Sequence, residues 1–142
     1  MRSPKDIPIC KLLPHRPPAV LIDALQEASE TRGVGVKTFR PGDYGLYGGC
    51  VCEPALIECA AQTVAALFGY NALSKPAGSG LGVLAGISSF LFLRKVSVGE
   101  ILRIEVEAVR SFGVMHVIEA KIFSQSAQVA GGELKLYLHD KK

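Results

Sequence analysis

One segment constrains this chain more than any other. Pro54-Ala-Leu-Ile-Glu-Cys-Ala-Ala-Gln-Thr-Val-Ala-Ala-Leu-Phe-Gly69 is apolar almost all round, and between Ala55 and Phe68 only Glu58, Gln62 and Thr63 interrupt it. Its alanine content favours helix, proline suits the first turn, and Gly69 is expected to end it. A helix with no polar face has to be covered. The stretch from Pro54 to Tyr70 carries Glu58 and Gln62 and falls short of the roughly 20 clean apolar residues that cross a bilayer, so the cover is expected to be protein and not lipid.

The rest of the chain supplies that cover as strands. Pro14, Pro17 and Pro18 break any helix begun near Asp6, leaving a short turn or helix before the first strand. Ala19 to Ala28 and Val34 to Phe39 read as strands. Arg40 to Cys52, with Pro41, four glycines and the aromatic Tyr44 and Tyr47, reads as a long and permissive loop. After the helix and a loop from Asn71 to Gly80, strands are expected over Leu81 to Leu93, Ile101 to Val109, His116 to Phe123 and around Leu134 to His139. Period-two alternation, as in Leu102, Ile104 and Val106 against Arg103, Glu105 and Glu107, gives the sheet one wet and one dry face. The expected fold is α+β: an antiparallel sheet wrapped around one long central helix, in a single domain spanning residues 1–142.

Composition narrows the function. With 49% hydrophobic and 20% charged residues among 142, the chain builds a sizeable core, and a mean hydropathy of +0.28 leaves apolar surface for a ligand channel or an oligomer interface. A net charge of +3 is far from the clustered basic footprint of a nucleic-acid binder. Met1 to Cys10 has no apolar run, so a signal peptide is not expected and the cytoplasm is the expected compartment. Cys10, Cys50, Cys52 and Cys59 are then buried or semi-buried free thiols, because Cys50-Val-Cys52 lacks both the spacing and the partners of a zinc site. No metal is expected.

Glu58 is the most informative residue. It and Gln62 lie four apart, on one helix face and about 6 Å along the axis. A carboxylate withdrawn from water costs several kcal/mol, on the order of the penalty for any unpaired buried charge. Two readings stand side by side: a carboxylate near a helix start pointing into a solvated crevice, and a general acid/base in an apolar setting.

Leu12-Leu13-Pro14-His15-Arg16 followed by Leu21-Ile22-Asp23 resembles the opening of the 3-hydroxyacyl-acyl-carrier-protein dehydratases of the hotdog-fold superfamily. Leu56-Ile57-Glu58-Cys59-Ala60-Ala61-Gln62 is similar to the start of their central helix, where the Glu is catalytic and a Gln follows it by four. Leu84-Ala85-Gly86-Ile87, then Phe92, Arg94, Val96 and Gly99-Glu100, is similar to the strand and turn after that helix. The resemblance implies a hotdog dimer with sites at the subunit interface. It also implies elimination of water across the 2,3-bond of a 3-hydroxyacyl thioester carried by acyl carrier protein or CoA. No cofactor is implied, because the thioester itself acidifies the C2 proton.

The chain departs from that pattern where the family keeps a loop histidine. The position fourteen residues before Glu58 is Tyr44, and Arg40 to Cys52 contains no histidine. This resembles the dehydratase-like proteins of aryl-polyene pigment clusters, which act beside a second, complete dehydratase, so a heteromer stands beside a homodimer or higher oligomer as the expected assembly. The catalytic candidates are Glu58, Gln62, Tyr44 and His15. Pro54, Ala55, Gly86, Phe90 and Arg94 are the expected substrate-binding residues, with Arg94, Lys95, Arg40 and Lys37 as a patch for an acidic carrier protein. A non-catalytic, acyl-carrier-binding partner subunit and a hotdog thioesterase using Glu58 to activate water remain the alternatives. His116 and His139 are read as surface or satisfied residues.

Overall fold

A computed structural model describes residues 2–74 and 81–139. Two short 3-10 turns, Pro4–Asp6 and Ile9–Lys11, precede β1 (Ala24–Ala28) and β2 (Arg32–Thr38). A small hairpin, β3 (Leu46–Tyr47) and β4 (Cys50–Val51), leads into the helix α1 (Glu53–Ala72). Then come β5 (Leu81–Phe92), β6 (Ile101–Phe112), β7 (Met115–Ser124) and β8 (Ala127–His139). The main sheet is antiparallel in the order β1-β2-β6-β7-β8-β5, so β5 is an edge strand.

The alternation read from β6 holds: Leu102, Ile104 and Val106 are buried on the concave face, while Arg103 and Glu105 join Glu27 and Arg32 in ion pairs on the convex one. The helix lies in that concavity. Ala55, Leu56, Cys59, Ala60, Val64, Ala66 and Leu67 are buried, whereas Ile57, Glu58, Ala61, Ala65 and Phe68 form a half-covered stripe. One chain therefore covers most of α1 but not all of it. Among the described residues no helix is long and apolar enough to cross a membrane.

Two glycines set how close the helix comes. A Cβ on Gly35 would lie 2.5 Å from Thr63 Oγ1, and one on Gly33 would lie 3.2 Å from Leu67 Cβ. Side chains at these β2 positions would push α1 off the sheet.

Several boundaries differ from expectation, each for a tertiary reason. The first strand begins at Ala24 rather than Ala19, because the backbone of Ala19 to Ile22 bonds to Arg16 and to the Gln62 side chain instead of a neighbouring strand. Gly69 does not end the helix, which runs on to Ala72. Its missing Cβ makes room for the carbonyl oxygen of Leu12. The loop expected over Asn71 to Gly80 accordingly starts later, with a turn at Leu73 and Ser74, and residues 75–80 lie outside the described residues. Within Arg40 to Cys52 the hairpin turns at Gly48 and Gly49, both at positive φ, as a two-residue hairpin connection requires.

Candidate active site

The site is assembled by a polar clamp between α1 and the proline-bounded segment before β1. Gln62 is buried at 1% exposure, so its amide needs partners on both ends. Its Oε1 accepts the N–H of Leu21 at 2.8 Å and that of Ile22 at 3.4 Å. Its Nε2 donates to the carbonyl of Ala19 at 2.8 Å and to Glu58 Oε1 at 2.9 Å. One side chain thus ties the 19–22 segment to the helix and orients the carboxylate one turn earlier.

The same segment delivers His15. Leu12 and Leu13 are buried anchors, and Arg16 turns back to donate from Nη1 to the carbonyls of Leu13 and His15. His15 Nε2 then lies 3.6 Å from Glu58 Oε1, while its Nδ1 is buried without a hydrogen-bond partner. Glu58 itself remains 43% exposed. It is held by Gln62 at the edge of a cleft and is not sealed in apolar surroundings, so the apolar setting expected of it is only partial.

That cleft has a volume of about 700 Å³ and is lined by Pro18, Ala19 and Leu21 from the segment before β1 and by Tyr44, Leu46 and Tyr47 from the loop and β3. Cys52, Pro54 and Ala55 at the helix start complete its lining together with Glu58. Gly45, at φ +97°, lets the loop rest on the helix, since a Cβ there would meet Ala55 Cβ at 2.7 Å. The loop is pinned from behind by Lys37, which is buried, pairs with Asp43 at 3.2 Å and Asp23 at 3.7 Å, and lies over the Phe39 ring. The backbone N–H of Arg40, followed by Lys37, holds the Asp43 carboxyl below its ordinary range. Lys37 is therefore removed from the basic surface patch expected of it: its charge is spent on two carboxylates.

A second cleft of about 370 Å³ shares Tyr47 and Cys52 with the first and continues to Phe92, Arg94 and Lys95. Arg94 is paired with Glu100 at 2.8 Å. Arg94, then the Ser97 N–H and the Ser124 hydroxyl, hold the Glu100 carboxyl down at about 2.

Of the residues expected from sequence, the structure brings Glu58, Gln62, His15, Tyr44, Pro54 and Ala55 to one cleft or its edge. Arg94 lies in the neighbouring one. Gly86 and Phe90 sit on β5 and line neither; Phe90 packs on Phe92 and over Gly132. His116 is engaged by Ser111 at 2.9 Å and the Phe68 ring, and the side chain of His139 lies outside the described residues. Cys59 is buried, which pushes its thiol up to about 12 and leaves it inert; Cys50 and Cys52 are half-buried, and Cys10, contrary to expectation, is exposed. Pro18, Ala19, Leu21 and the Lys37–Asp43 pair went unread in the sequence. The hairpin that carries Tyr47 was signalled by Gly48-Gly49 between two short apolar pairs.

Comparison with known proteins bears on this arrangement. The ApeP-like family, described as ApeP dehydratase, matches residues 7–142. A 3-hydroxyacyl-[acyl-carrier-protein] dehydratase FabZ from Natranaerobius thermophilus is 33% identical over 145 residues, covering 96% of this chain and 99% of the relative. Another from Desulforamulus reducens is 34% identical over 141 residues, covering 94% and 96%. Among solved structures, the dehydratase heterocomplex ApeI:P from Xenorhabdus doucetiae superposes with a TM-score of 0.85 at 23% identity, covering 95% of this chain and 93% of that one. A hypothetical thioesterase protein with coenzyme A from Streptococcus pneumoniae superposes at 0.67 with 16% identity, covering 83% and 86%. These structural likenesses establish the hotdog fold.

Proposed function

The chain belongs to the ApeP-like dehydratase family, and from that premise we propose that it is a 3-hydroxyacyl-carrier-protein dehydratase-like protein in fatty-acid or polyene-type biosynthesis, with Glu58 as its acid/base. The observation that carries this reading is the Glu58 carboxylate held by Gln62 at 2.9 Å on the edge of a cleft large enough for an acyl thioester. Gln62 serves as a positioning residue. It fixes the carboxylate and, through Leu21 and Ala19, the part of the cleft lining that they supply.

Elimination of water needs a base for the C2 proton and an acid for the departing hydroxyl. Glu58 takes part in that transfer. Pro54, Ala55, Tyr44 and Tyr47 bound the thioester, and the carrier arm leaves through the connecting cleft past Lys95 and the Arg94–Glu100 pair. Phe90 and Gly86 line neither cleft, so this reading gives them no contact with the thioester.

A second hotdog chain belongs to the same reading. β5 is the sheet edge and exposes Ile87 and Leu91, with Leu93 just beyond, and the stripe of α1 through Ile57, Ala61, Ala65 and Phe68 is half-covered. The ApeI:P structure is a dehydratase heterocomplex, which supports a dehydratase subunit as that partner; with the carrier-protein substrate named for the relatives, this reading takes the cytoplasm as the compartment.

The test is conversion of a 3-hydroxyacyl thioester to its 2-enoyl product by the purified chain, alone and mixed with a dehydratase subunit. Product formation that Glu58→Gln abolishes is the expected result. Thiol release without enoyl product, or mixed-complex activity indifferent to Glu58→Gln, contradicts it.

A further inference from the structure

Resting on the dehydratase reading above, we propose that His15 is the second proton carrier of the site and that it works with Glu58 inside one chain. The loop from Arg40 to Cys52 offers no histidine, and His116 is occupied by Ser111. Among the described residues, His15 is the histidine that faces the carboxylate, with Nε2 at 3.6 Å from Oε1.

Its surroundings do not suit a structural histidine. A ring retained to cap or pack a turn spends its nitrogens on backbone acceptors or donors. Here Nδ1 is buried with no partner, and the backbone of the turn is already served by Arg16 and by Gln62. The ring is half-buried, with 32% of its side chain exposed. The gap of 3.6 Å exceeds a hydrogen bond, and catalytic contacts of this length tighten when substrate enters.

The pair shares one proton. In the reactive state Glu58, held by Gln62, is the carboxylate and His15 carries that proton. Glu58 takes the C2 proton of the 3-hydroxyacyl thioester, and the C2–H electron pair becomes the new C2=C3 bond. The C3–O bond breaks with its pair on oxygen, and the hydroxyl leaves as water on taking the proton from His15 Nε2. The pair then holds its single proton on Glu58, and return of that proton to His15 restores the starting state. No oxidant or cofactor enters the balance. The other titratable groups around the pair are Tyr44, Tyr47 and Cys52 in the lining of the same cleft, with the Arg16 guanidinium turned to backbone carbonyls.

The pair requires no residue from a second subunit, so in a heterocomplex this chain holds a proton-transfer site of its own. The deciding experiment measures 2-enoyl formation against pH for the full chain, alone and with a dehydratase subunit, as wild type, His15→Gln and Glu58→Gln. Wild type is expected to give a bell-shaped kcat/KM profile, as one shared proton demands. His15→Gln is expected to lower kcat/KM by about 100-fold or more and to erase the alkaline limb, with melting temperature and assembly unchanged. His15→Gln activity within about threefold of wild type with both limbs intact, while Glu58→Gln is inactive, overturns the role of His15 and leaves the dehydratase reading standing. No enoyl product from wild type under either condition overturns that reading and this pair with it. Should His15→Gln melt early, the wild-type profile decides: a missing alkaline limb overturns the pair.

Discussion

Against β2, the central helix is packed by volume: Gly33 and Gly35 leave space that Leu67 and Thr63 fill, and a single Cβ on Gly35 would fall 2.5 Å from Thr63 Oγ1. Against the segment from His15 to Ile22, the same helix is held by polar contacts, with Gln62 bonded to Leu21, Ala19 and Glu58 and with His15 facing Glu58. The first side leaves no room for a Cβ at Gly35 and holds none of the proposed catalytic groups. The second side holds all of them. A close-packed face fixes where the helix lies, which lets the polar face hold its carboxylate in one place while leaving it open to a cleft.

This contrast is broken most sharply at Glu58. Glu58→Gln keeps the volume and the i, i+4 neighbour, so turnover is expected to fall about 1,000-fold or more with little change in melting temperature. Enoyl formation and thermal melting, measured together, check it; an equal loss of both would mean the polar side is structural. Gln62→Leu crosses the boundary between the two sides. It leaves the Leu21 N–H and the Ala19 carbonyl unsatisfied and frees Glu58, so it should cost about 2–3 kcal/mol of stability and lower kcat as well. Urea unfolding and steady-state kinetics on one preparation separate these effects.

Gly35→Ala belongs to the packed side alone. It is expected to destabilise by about 2 kcal/mol through overpacking, and Thr63→Ala added to it should restore part of that loss. Chemical denaturation of the single and double variants tests the pairing. The smallest effect is expected at Glu100, in a polar cluster outside the lining of the cleft that Glu58 edges. Its carboxyl is held at about 2, below the ordinary 4.5, by Arg94, Ser97 and Ser124. A depressed carboxylate contributes stability that is present above about pH 4.5 and lost as pH falls toward 2. Glu100→Gln should flatten that acid slope by about 1 kcal/mol, solvent screening of the half-exposed Arg94 allowed for, without altering the pH profile of turnover.

Local pattern was enough to reveal the helix, the wet and dry faces of β6, and the Glu58–Gln62 pairing, because each depends on spacings of two or four residues along one element. What it missed depends on distant partners. Ala19 to Ile22 looks like strand, yet its backbone bonds to Gln62, and Gly69 looks like a helix stop, yet it admits the Leu12 carbonyl. Lys37 looks like a surface charge, yet Asp23 and Asp43 neutralise it under the Tyr44 loop. His15 was visible as a motif residue, but its approach to Glu58 depends on how the proline turn crosses the helix, which no local periodicity encodes.

Proton transfer at C2 tests the central claim most directly. Hydration of a 2-enoyl thioester in heavy water runs the elimination backwards and delivers solvent hydrogen to C2. If Glu58 performs that transfer, the wild-type chain, in whichever assembly is active, yields 3-hydroxyacyl thioester with one deuterium at C2, and Glu58→Gln yields none above the uncatalysed background. Deuterium entering C2 at the wild-type rate in Glu58→Gln would contradict the account.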